Sequence, residues 1–206
     1  VFELAKKFNI PVIYASSSAI YGDLPIGNDN KKKFSITSPY AQDKLVLEDY
    51  AKMSYDVFGV SSVGLRLFNV YGPGQNSNSP YSAVIPIFLN RMKKNQTVII
   101  NGGYQTRDFI YVEDVVKIMI LLMNKIQKKK KFNVFNVGTG KSITINYLYK
   151  LIKKKLRSKS KFKKRKLDKF DPKKSFGTLK KLNKFLNLKK NFFTKLENGI
   201  EKTLRY

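Results

Sequence analysis

The sequence predicts an α/β fold built on a parallel sheet. Short segments rich in β-branched and aromatic residues alternate with longer amphipathic segments, and this alternation is typical of strands joined by crossover helices. Turn-forming glycine, proline and asparagine residues separate many of these segments. The 206 residues are enough to bury one good core, or one and a half small domains.

The first part of the chain is predicted to alternate helices and strands. Ser38 can cap a long helix, Pro39 suits the first helical position, and Gly59 is expected to end that helix. The predicted elements, in order, are the end of a helix at Val1–Phe8, a buried strand at Pro11–Ala15, a polar loop at Gly22–Thr37, a helix at Tyr40–Phe58, a strand at Val60–Phe68 and a loop at Asn69–Pro80.

The same alternation continues to the end of the chain. The acidic residue Asp114 lies where the helix dipole favours negative charge, at the start of an apolar helical segment. The predicted elements are a helix at Tyr81–Lys94, a strand at Thr97–Ile100, an extended piece at Phe109–Val112, a helix at Asp114–Lys125, a charged linker at Lys128–Lys131, a strand at Phe132–Val137, a helix at Thr144–Leu156, a loosely ordered lysine-rich segment at Arg157–Lys174, and helices near Thr178–Leu186 and Phe193–Leu204.

The chain is strongly basic. It has 41 Lys and Arg residues against 14 Asp and Glu, a formal charge of +27. Residues 150–206 hold 22 of the Lys and Arg residues and 4 of the acidic ones, so +18 of this charge lies there. Such a surface suits a diphosphate substrate or a polyanion. Because no interleaving of basic and aromatic residues matches a nucleic-acid-binding module, no nucleic acid partner is expected.

The residue types that are absent narrow the chemistry. The sequence has neither cysteine nor histidine, so disulfides and sites with thiolate or imidazole ligands are excluded, and no metal site is predicted. Acid–base chemistry must depend on tyrosine, lysine or carboxylates. Lys117 interrupts the longest apolar run, Val115–Met123, which is too short for a bilayer, and no secretory signal pattern is visible. We therefore expect a cytoplasmic protein without a membrane partner.

A tyrosine and a lysine with catalytic potential lie at the start of the long predicted helix. Tyr40 and Lys44 are four residues apart and share a helix face. A nearby ammonium is expected to lower the phenol pKa from its usual value of roughly 10, so that the phenol can exchange a proton with a substrate hydroxyl. The spacing alone favours a solvated helix face, and Tyr149 and Lys153 share it. Tyr40 is distinguished by the combination of Pro39, a strand ending in serines at Ser16–Ser18, and Tyr21-Gly22.

Several motifs in a fixed order resemble the extended short-chain dehydrogenase/reductase family, in particular its NAD-dependent nucleotide-sugar epimerases and dehydratases of the UDP-glucose 4-epimerase type. They are Ser16-Ser17-Ser18-Ala19-Ile20-Tyr21-Gly22, Ser38-Pro39-Tyr40-Ala41-Gln42-Asp43-Lys44, Leu65-Arg66-Leu67-Phe68-Asn69-Val70-Tyr71-Gly72-Pro73, Gln105-Thr106-Arg107-Asp108-Phe109-Ile110-Tyr111-Val112 and Phe135-Asn136-Val137-Gly138-Thr139-Gly140. The resemblance implies NAD as cofactor, a nucleotide sugar, above all a UDP-sugar, as substrate, and a homodimer.

The resemblance also implies the domain organisation. The chain would form the C-terminal part of a Rossmann-type parallel sheet plus a smaller mixed α/β substrate domain. Residues 1–72, joined by 112–137, would belong to the dinucleotide-binding domain, and residues 73–206 mainly to the substrate domain. No glycine-rich phosphate-binding loop follows a strand, so the sequence is expected to lack the N-terminal part of the family's domain and to be inactive alone.

The family's site residues transfer to matching positions of this sequence. The catalytic residues would be Ser17, Tyr40 and Lys44, and cofactor contacts would come from Tyr40, Lys44 and Phe68. The substrate-binding residues would be Ser18, Asn69, Ile99, Asn101 and Arg107, the last binding the diphosphate. The alternatives are that Phe68 fills the core, that Asn69 caps a strand end, and that Arg107 forms a surface ion pair with Asp108.

Two further comparisons with the family limit the activity. Ser18 and Ala19 stand where the dehydratases have an Asp-Glu pair, and the related decarboxylases keep a glutamate at the position of Ala19, so epimerisation at C4 is favoured. A 6-epimerase, reductase or dehydratase, an inactive truncated fragment, and a basic nucleic-acid-binding protein are the alternatives. Asp168–Asp171 stands where many relatives have Arg-x-Gly-Asp, so a second phosphate-binding arginine is not expected. Gly138–Ser142 is interpreted as a turn, because a phosphate loop would need glycine at Phe135.

Overall fold

A computed structural model describes residues 1–78, 83–126 and 131–205. Its helices are α1 Phe2–Phe8, α2 Pro39–Phe58, α3 Val84–Lys93, α4 Val112–Ile126, α5 Ile145–Leu156, α6 Lys180–Leu186 and α7 Leu196–Arg205, with a short 3₁₀ helix at Ser18–Tyr21. Its strands are β1 Val12–Ser17, β2 Ser62–Leu67, β3 Asn69–Tyr71, β4 Val98–Asn101, β5 Thr106–Tyr111, β6 Phe132–Val137, β7 Ser142–Thr144, β8 Phe162–Arg165 and β9 Lys174–Ser175.

The central sheet has the strand order β1-β2-β6, and its strands are all parallel. Ser17 at the end of β1 pairs in register with Leu67 at the end of β2, and Leu67 pairs with Val137 at the end of β6. The carboxyl ends of the three strands therefore meet at one edge of the sheet. Parallel sheets of this kind often bind ligands at that edge. The predicted α/β class is confirmed.

A four-stranded mixed sheet lies beside the central one. Strand β5 pairs in parallel with β3 and β9 and antiparallel with β7. Strand β4 pairs in parallel with β8 in a separate two-stranded sheet. These pairings join segments that are far apart in sequence, so the walls of any cavity between them come from several parts of the chain.

Apolar side chains form separate cores around these sheets. On one face of the central sheet, α4 and α6 bury side chains against β2 and β6, including Ile118 and Leu182. On another side, α1 and α2 bury Phe2 and Ala51 against Tyr14 of β1. The core beside β4 and β5 is filled from α3 and α5 by Ile85, Phe88, Met92, Leu148 and Ile152, among others.

Local signals set the ends of α2. The Ser38 hydroxyl accepts a hydrogen bond from the Ala41 amide at 3.2 Å, and Pro39 occupies the first helical position. Gly59 adopts the left-handed conformation (φ 67°) and ends the helix. The predicted helix over Tyr40–Phe58 and its end at Gly59 are confirmed.

The expectation that Arg157–Lys174 is loosely ordered was wrong. Strand β8 lies in this segment and pairs with β4. Two buried serines anchor its start: the Ser158 hydroxyl donates to the Met92 carbonyl at 2.8 Å, and the Tyr149 hydroxyl donates to the Ser160 carbonyl at 2.8 Å. Backbone pairing and these anchors order a segment whose side chains are largely exposed and charged.

The sequence interpretation also missed short strands. Strand β3 lies where a loop from Asn69 was predicted, and β7 precedes α5 where only a turn was expected. The predicted linker at 128–130 and the predicted helix start at Tyr81 lie outside the described residues. Among the helices that the structure describes, none combines the length and the apolar character needed to cross a membrane.

Candidate active site

The serine cluster lies at the carboxyl end of β1. Ser17 is the last residue of the strand and caps the 3₁₀ helix, because its hydroxyl accepts a hydrogen bond from the Ala19 amide at 3.1 Å. Ser17 is buried, and Ser18, which begins the 3₁₀ helix, is partly buried. A hydroxyl can accept and donate at once, so the Ser17 proton is still available to another acceptor.

Tyr40 and Lys44 occupy the first turns of α2, which packs against β1 and the 3₁₀ helix. The Tyr40 side chain is 54 % exposed, and the Lys44 Nζ atom lies 5.6 Å from the centroid of its ring. The same Nζ atom donates to the Ala15 carbonyl at 2.9 Å. This bond fastens the start of α2 to β1 two residues before Ser17. Ser17, Tyr40 and Lys44 thus come from adjoining elements at one end of the central sheet.

A buried polar network lies next to this end of the sheet. Glu48, one turn after Lys44, accepts hydrogen bonds from the Arg66 guanidinium at 2.9 and 2.7 Å and from the Ser16 hydroxyl. Arg66 also donates to the Tyr21 hydroxyl at 2.7 Å, and Tyr21 donates to the Asn136 side chain at 2.7 Å. The network joins β1, β2, β6 and α2, so it fixes the strand end that carries Ser17.

The surroundings fix the protonation states of Arg66 and Tyr21 in this network. Burial acts to lower the pKa of Arg66, but the hydrogen bonds to Glu48 and Tyr21 and the charge of Glu48 raise it above its ordinary value, so the guanidinium stays charged. Burial raises the pKa of Tyr21 to about 12, so this hydroxyl stays protonated and can donate. The sequence interpretation missed this network. Its signal was a charged residue, Arg66, inside an otherwise apolar strand.

Phe68 directly follows β2 and is buried in a cluster with Ile20 and Tyr21. Its ring therefore packs against the turn that follows the serine cluster, in keeping with the core-filling alternative. The predicted contact between Phe68 and a cofactor remains a prediction.

A second feature of the site is a cavity of about 530 Å³ between α3 and strands β3, β4 and β5. Four of the predicted substrate-binding residues line it: Asn69, Ile99, Asn101 and Arg107. The other described lining residues are Val70, Tyr71, Ala83, Val84, Ile85, Ile87, Phe88, Ile100, Gln105, Phe109, Ile145 and Asp171. The structure brings these four predicted residues together. Ser18, Ser17, Tyr40 and Lys44 are not among the described residues that line this cavity.

The cavity has an arginine at its wall. The Arg107 guanidinium donates to the carbonyls of Thr106 and Pro172 at 2.9 and 2.7 Å and pairs with the Asp171 carboxylate. The suggested surface ion pair between Arg107 and Asp108 was wrong, because the partner of Arg107 is Asp171. Sequence reasoning did not identify Asp171 as that partner, since 64 residues separate the two.

Asp108 instead binds the loop that follows β6. Its carboxylate is fully buried and accepts hydrogen bonds from the Thr139 amide at 2.9 Å, the Gly140 amide at 2.8 Å and the Thr139 hydroxyl at 2.5 Å. Burial raises the pKa of Asp108, although these donors act against that shift. These loop amides therefore bind a carboxylate of the chain itself and are not free to hold a phosphate. The side-chain amide of Asn69 donates to the Asp108 backbone carbonyl at 3.0 Å, which fixes Asn69 at the cavity wall.

Comparison with known proteins gives matches to one family model, to curated relatives and to solved structures. The family model described as NAD dependent epimerase/dehydratase matches residues 1–138. A UDP-N-acetylglucosamine 4-epimerase from Methanobrevibacter ruminantium M1, solved with UDP-N-acetylmuramic acid, is 36 % identical with a TM-score of 0.88, covering 99 % of this chain and 65 % of that one. A UDP-glucose 4-epimerase from Thermotoga maritima, solved with UDP-glucose, is 31 % identical with a TM-score of 0.89, covering 100 % and 66 %.

A curated protein from Methanocaldococcus jannaschii, provisionally assigned as a UDP-glucose 4-epimerase, is 38 % identical over 159 residues, which are 74 % of this chain and 50 % of that protein. The chain spans about half the length of the curated relatives it matches, with shares between 46 % and 60 %.

Proposed function

The chain belongs to the NAD dependent epimerase/dehydratase family, and we propose that the whole protein is a nucleotide-sugar epimerase, specifically an NAD-dependent UDP-hexose 4-epimerase that works through a 4-keto intermediate. One observation carries the proposal: the pair of Tyr40 and Lys44 is fastened to the serine-tipped end of β1 by the bond from Lys44 to the Ala15 carbonyl. Relatives named as UDP-glucose and UDP-N-acetylglucosamine 4-epimerases, 31 % and 36 % identical, support the substrate class.

Tyr40 is proposed as the acid and base of the reaction. It would take the proton from the sugar 4-hydroxyl, while the Ser17 hydroxyl holds the same oxygen in position. Bound NAD would supply the acceptor, and later the donor, of the hydride from C4. Tyr40 would then return the proton when the 4-keto sugar is reduced. Tyr40 fits this role because its ring is accessible, with the ammonium of Lys44 nearby.

Lys44 is proposed to hold the nicotinamide ribose as well as to orient Tyr40. An ammonium has three N–H donors, and one of them goes to the Ala15 carbonyl. The other two suit the paired hydroxyls of a ribose. Phe68 would pack near the nicotinamide beside the 3₁₀ helix, since its ring lies against Ile20 and Tyr21 of that helix.

The cavity at Arg107 is proposed to anchor the nucleotide. A guanidinium is the side chain best shaped to bind the diphosphate, and Ile99, Asn101 and Asn69 would contact the uridine end and the sugar. Inversion needs the keto sugar to present both faces in turn. A firmly anchored nucleotide with a freely turning hexose would meet that need.

The turn after β1 favours epimerisation over dehydration. Elimination of water needs a carboxylic acid beside Ser17, whereas this turn has Ser18 and Ala19. The Glu48 carboxylate cannot replace it, because Arg66 and Ser16 already bind both of its oxygens. The chemistry that remains needs only Ser17, Tyr40, Lys44 and the cofactor.

The proposed function also suggests how the chain divides into a cofactor-binding and a substrate-binding domain. Strands β1, β2 and β6 come from residues 1–72 and 112–137, and we propose that they belong to the cofactor-binding domain. Most of the residues that line the cavity come from 73–206, which we propose as mainly the substrate domain.

A homodimer is proposed from the surface of α2. Exposed apolar residues recur at helical spacing along it, at Val46, Tyr50, Met53 and Val57, and exposed Leu4 and Phe8 lie on neighbouring α1. A monomer seldom leaves such a stripe bare. A second copy, packing its own α1 and α2 against this stripe, would cover it.

The test is turnover by the whole protein supplied with NAD and, separately, UDP-glucose, UDP-N-acetylglucosamine or UDP-glucuronate. We expect a C4-inverted product from at least one of them. Tyr40→Phe should lower turnover by at least about 100-fold, the usual contribution of a general acid–base group. A C6-inverted, reduced or dehydrated product would replace the proposal with another activity of the family.

Tyr149→Phe is the matched control. Tyr149 and Lys153 have the same spacing, and the Lys153 Nζ atom lies 5.8 Å from the Tyr149 ring, much as in the proposed catalytic pair. The Tyr149 hydroxyl donates to the Ser160 carbonyl instead, so its loss should reduce stability and leave turnover nearly intact. Equal turnover by wild type and Tyr40→Phe would rule out the role given to Tyr40.

A further inference from the structure

The arginine of the cavity already holds an anion, namely the carboxylate of Asp171. Arg107 and Asp171 are the only charged side chains among the described residues that line the cavity. An incoming diphosphate therefore meets a wall whose charges cancel. A carboxylate and a phosphate compete for the same N–H donors of a guanidinium.

We propose that Asp171 is an affinity-determining residue of this site: its carboxylate occupies the anion-binding face of Arg107 and is displaced when the ligand's diphosphate binds. The inference rests on the proposed function for the identity of the ligand. The anion competition itself depends only on Arg107 and Asp171.

The geometry allows Asp171 to leave while Arg107 stays in place. The side chain of Asp171 is 40 % exposed, whereas that of Arg107 is 11 % exposed. Asp171 can therefore turn into solvent at little cost. The bonds from Arg107 to the carbonyls of Thr106 and Pro172 do not involve this carboxylate, so they keep the guanidinium aimed at the cavity after Asp171 has moved.

The position of Asp171 makes it suited to adjust affinity. It lies between β8 and β9, and both strands are fastened to strands that form the cavity: β8 to β4 and β9 to β5. The carboxylate is thus delivered to Arg107 from a short connection with fixed ends. Such a built-in competitor weakens binding of the nucleotide and speeds its release.

The experiment compares Asp171→Asn with wild type in binding inorganic pyrophosphate, UDP and uridine, measured by calorimetry on the whole protein. Asp171→Asn keeps the side-chain shape but removes the competing charge. Partly exposed ion pairs contribute up to about 1 kcal/mol, which corresponds to about fivefold in affinity. We expect about fivefold tighter binding of pyrophosphate and UDP and unchanged binding of uridine, which has no phosphate.

Asp168→Asn is the matched control, since it removes an equal charge from the same connection. Asp168 accepts a hydrogen bond from the Phe170 amide and does not line the cavity, so its variant should bind all three probes as wild type does. The gain should also vanish when Arg107→Gln is combined with Asp171→Asn, which separates this site from other basic surfaces.

The outcomes distinguish the two proposals. If Asp171→Asn binds pyrophosphate more tightly than wild type does, while UDP binds to neither wild type nor variant, the nucleotide assignment fails and the role of Asp171 stands. The role of Asp171 is overturned by any of three results. Asp171→Asn binds pyrophosphate no more tightly than wild type, its affinity for uridine rises as much as that for pyrophosphate, or the gain in affinity persists when Arg107→Gln is added.

Discussion

At the scale of single residues, the end of the central sheet depends on charges that lie out of water. Glu48 and Arg66 are both buried and bind each other through two hydrogen bonds, at 2.9 and 2.7 Å. Removing one member of such a pair leaves the other charge without compensation, and this commonly costs about 3–5 kcal/mol. The pair is therefore a sensitive point in the support of Ser17.

We expect Glu48→Gln to lower the free energy of unfolding by about 3 kcal/mol, because the Arg66 guanidinium stays buried without its counter-charge. Urea unfolding would measure it. The exposed pair of Lys52 and Asp56 on the same helix provides the control, since Asp56→Asn should cost less than about 1 kcal/mol. Equal losses for the two variants would contradict the importance given to burial.

Asp29 should make stability depend on pH. Its Oδ2 atom accepts a hydrogen bond from the Asn136 amide at 2.9 Å, and its buried Oδ1 atom has no hydrogen-bond partner among the described residues. Burial raises the pKa of Asp29 above that of the unfolded chain. The folded state therefore holds this proton to higher pH, so the related stability is complete below the unfolded pKa and is lost as pH rises through the folded pKa.

Asp29→Asn should accordingly be more stable than wild type at neutral pH, because no buried charge has to form. The difference should shrink as pH falls toward roughly 3.9, the ordinary aspartate value, where both proteins have a neutral side chain. Urea unfolding across pH 3–8 would show it. A difference that grew on acidification would have the wrong sign.

At the scale of elements, prediction succeeded where the signal lies within the element. Helix α2 begins at Ser38 and Pro39 and ends at Gly59, and each of these residues acts through its immediate neighbours. Strand β8 was missed because its residues, Phe162-Lys163-Lys164-Arg165, show no apolar alternation. Its order depends on a partner strand far away in the sequence and on the buried serines before it, and neither is visible in a local pattern.

The serine anchor can be tested by Ser158→Val. The change leaves the Met92 carbonyl without its buried donor, which should cost about 1–3 kcal/mol. The amides of Val98 and Gly102, which donate to the carbonyls of Lys161 and Arg165 at 2.9 Å, should then exchange hydrogen faster. Lys159→Ala, an exposed neighbour, is the control and should leave both amides protected. Unchanged protection in Ser158→Val would show that β8 does not need this anchor.

At the scale of the whole molecule, the two parts of the site differ in how far the sequence could foretell them. Ser17, Tyr40 and Lys44 lie in short motifs, so order along the chain was enough to nominate them. Of the four predicted residues of the cavity, Asn69 and Arg107 lie in motifs, whereas Ile99 and Asn101 were named by their alignment with the family, and the structure brings the four together. The pairing of Arg107 with Asp171 could not be foreseen, because it arises only when β9 joins β5.

The proposed homodimer makes a prediction at this scale. Met53→Lys places a charge in the exposed apolar stripe of α2 and should convert the dimer of the whole protein into a monomer, as measured by sedimentation. Met123→Lys on α4 is the comparison variant: the two methionines are 41 % and 49 % exposed, and Met123 lies outside the α2 stripe, in a second exposed apolar row with Val116 and Ile120. Dissociation by both variants, or by Met123→Lys alone, would place the contact elsewhere.

Strand β8 has one further consequence, which concerns how the protein behaves in crowded solution. In the described part of the chain β8 pairs on one side only, with β4, so its other side is an exposed sheet edge. An unpaired edge strand can form backbone hydrogen bonds with the same edge of another copy, and this leads to aggregation. Three of the four residues of β8 carry positive charge and are exposed, so two such edges repel each other. Salt screens such repulsion beyond roughly 8 Å at physiological ionic strength and beyond roughly 3 Å at 1 M, so high salt should weaken this protection and increase the turbidity of a concentrated solution.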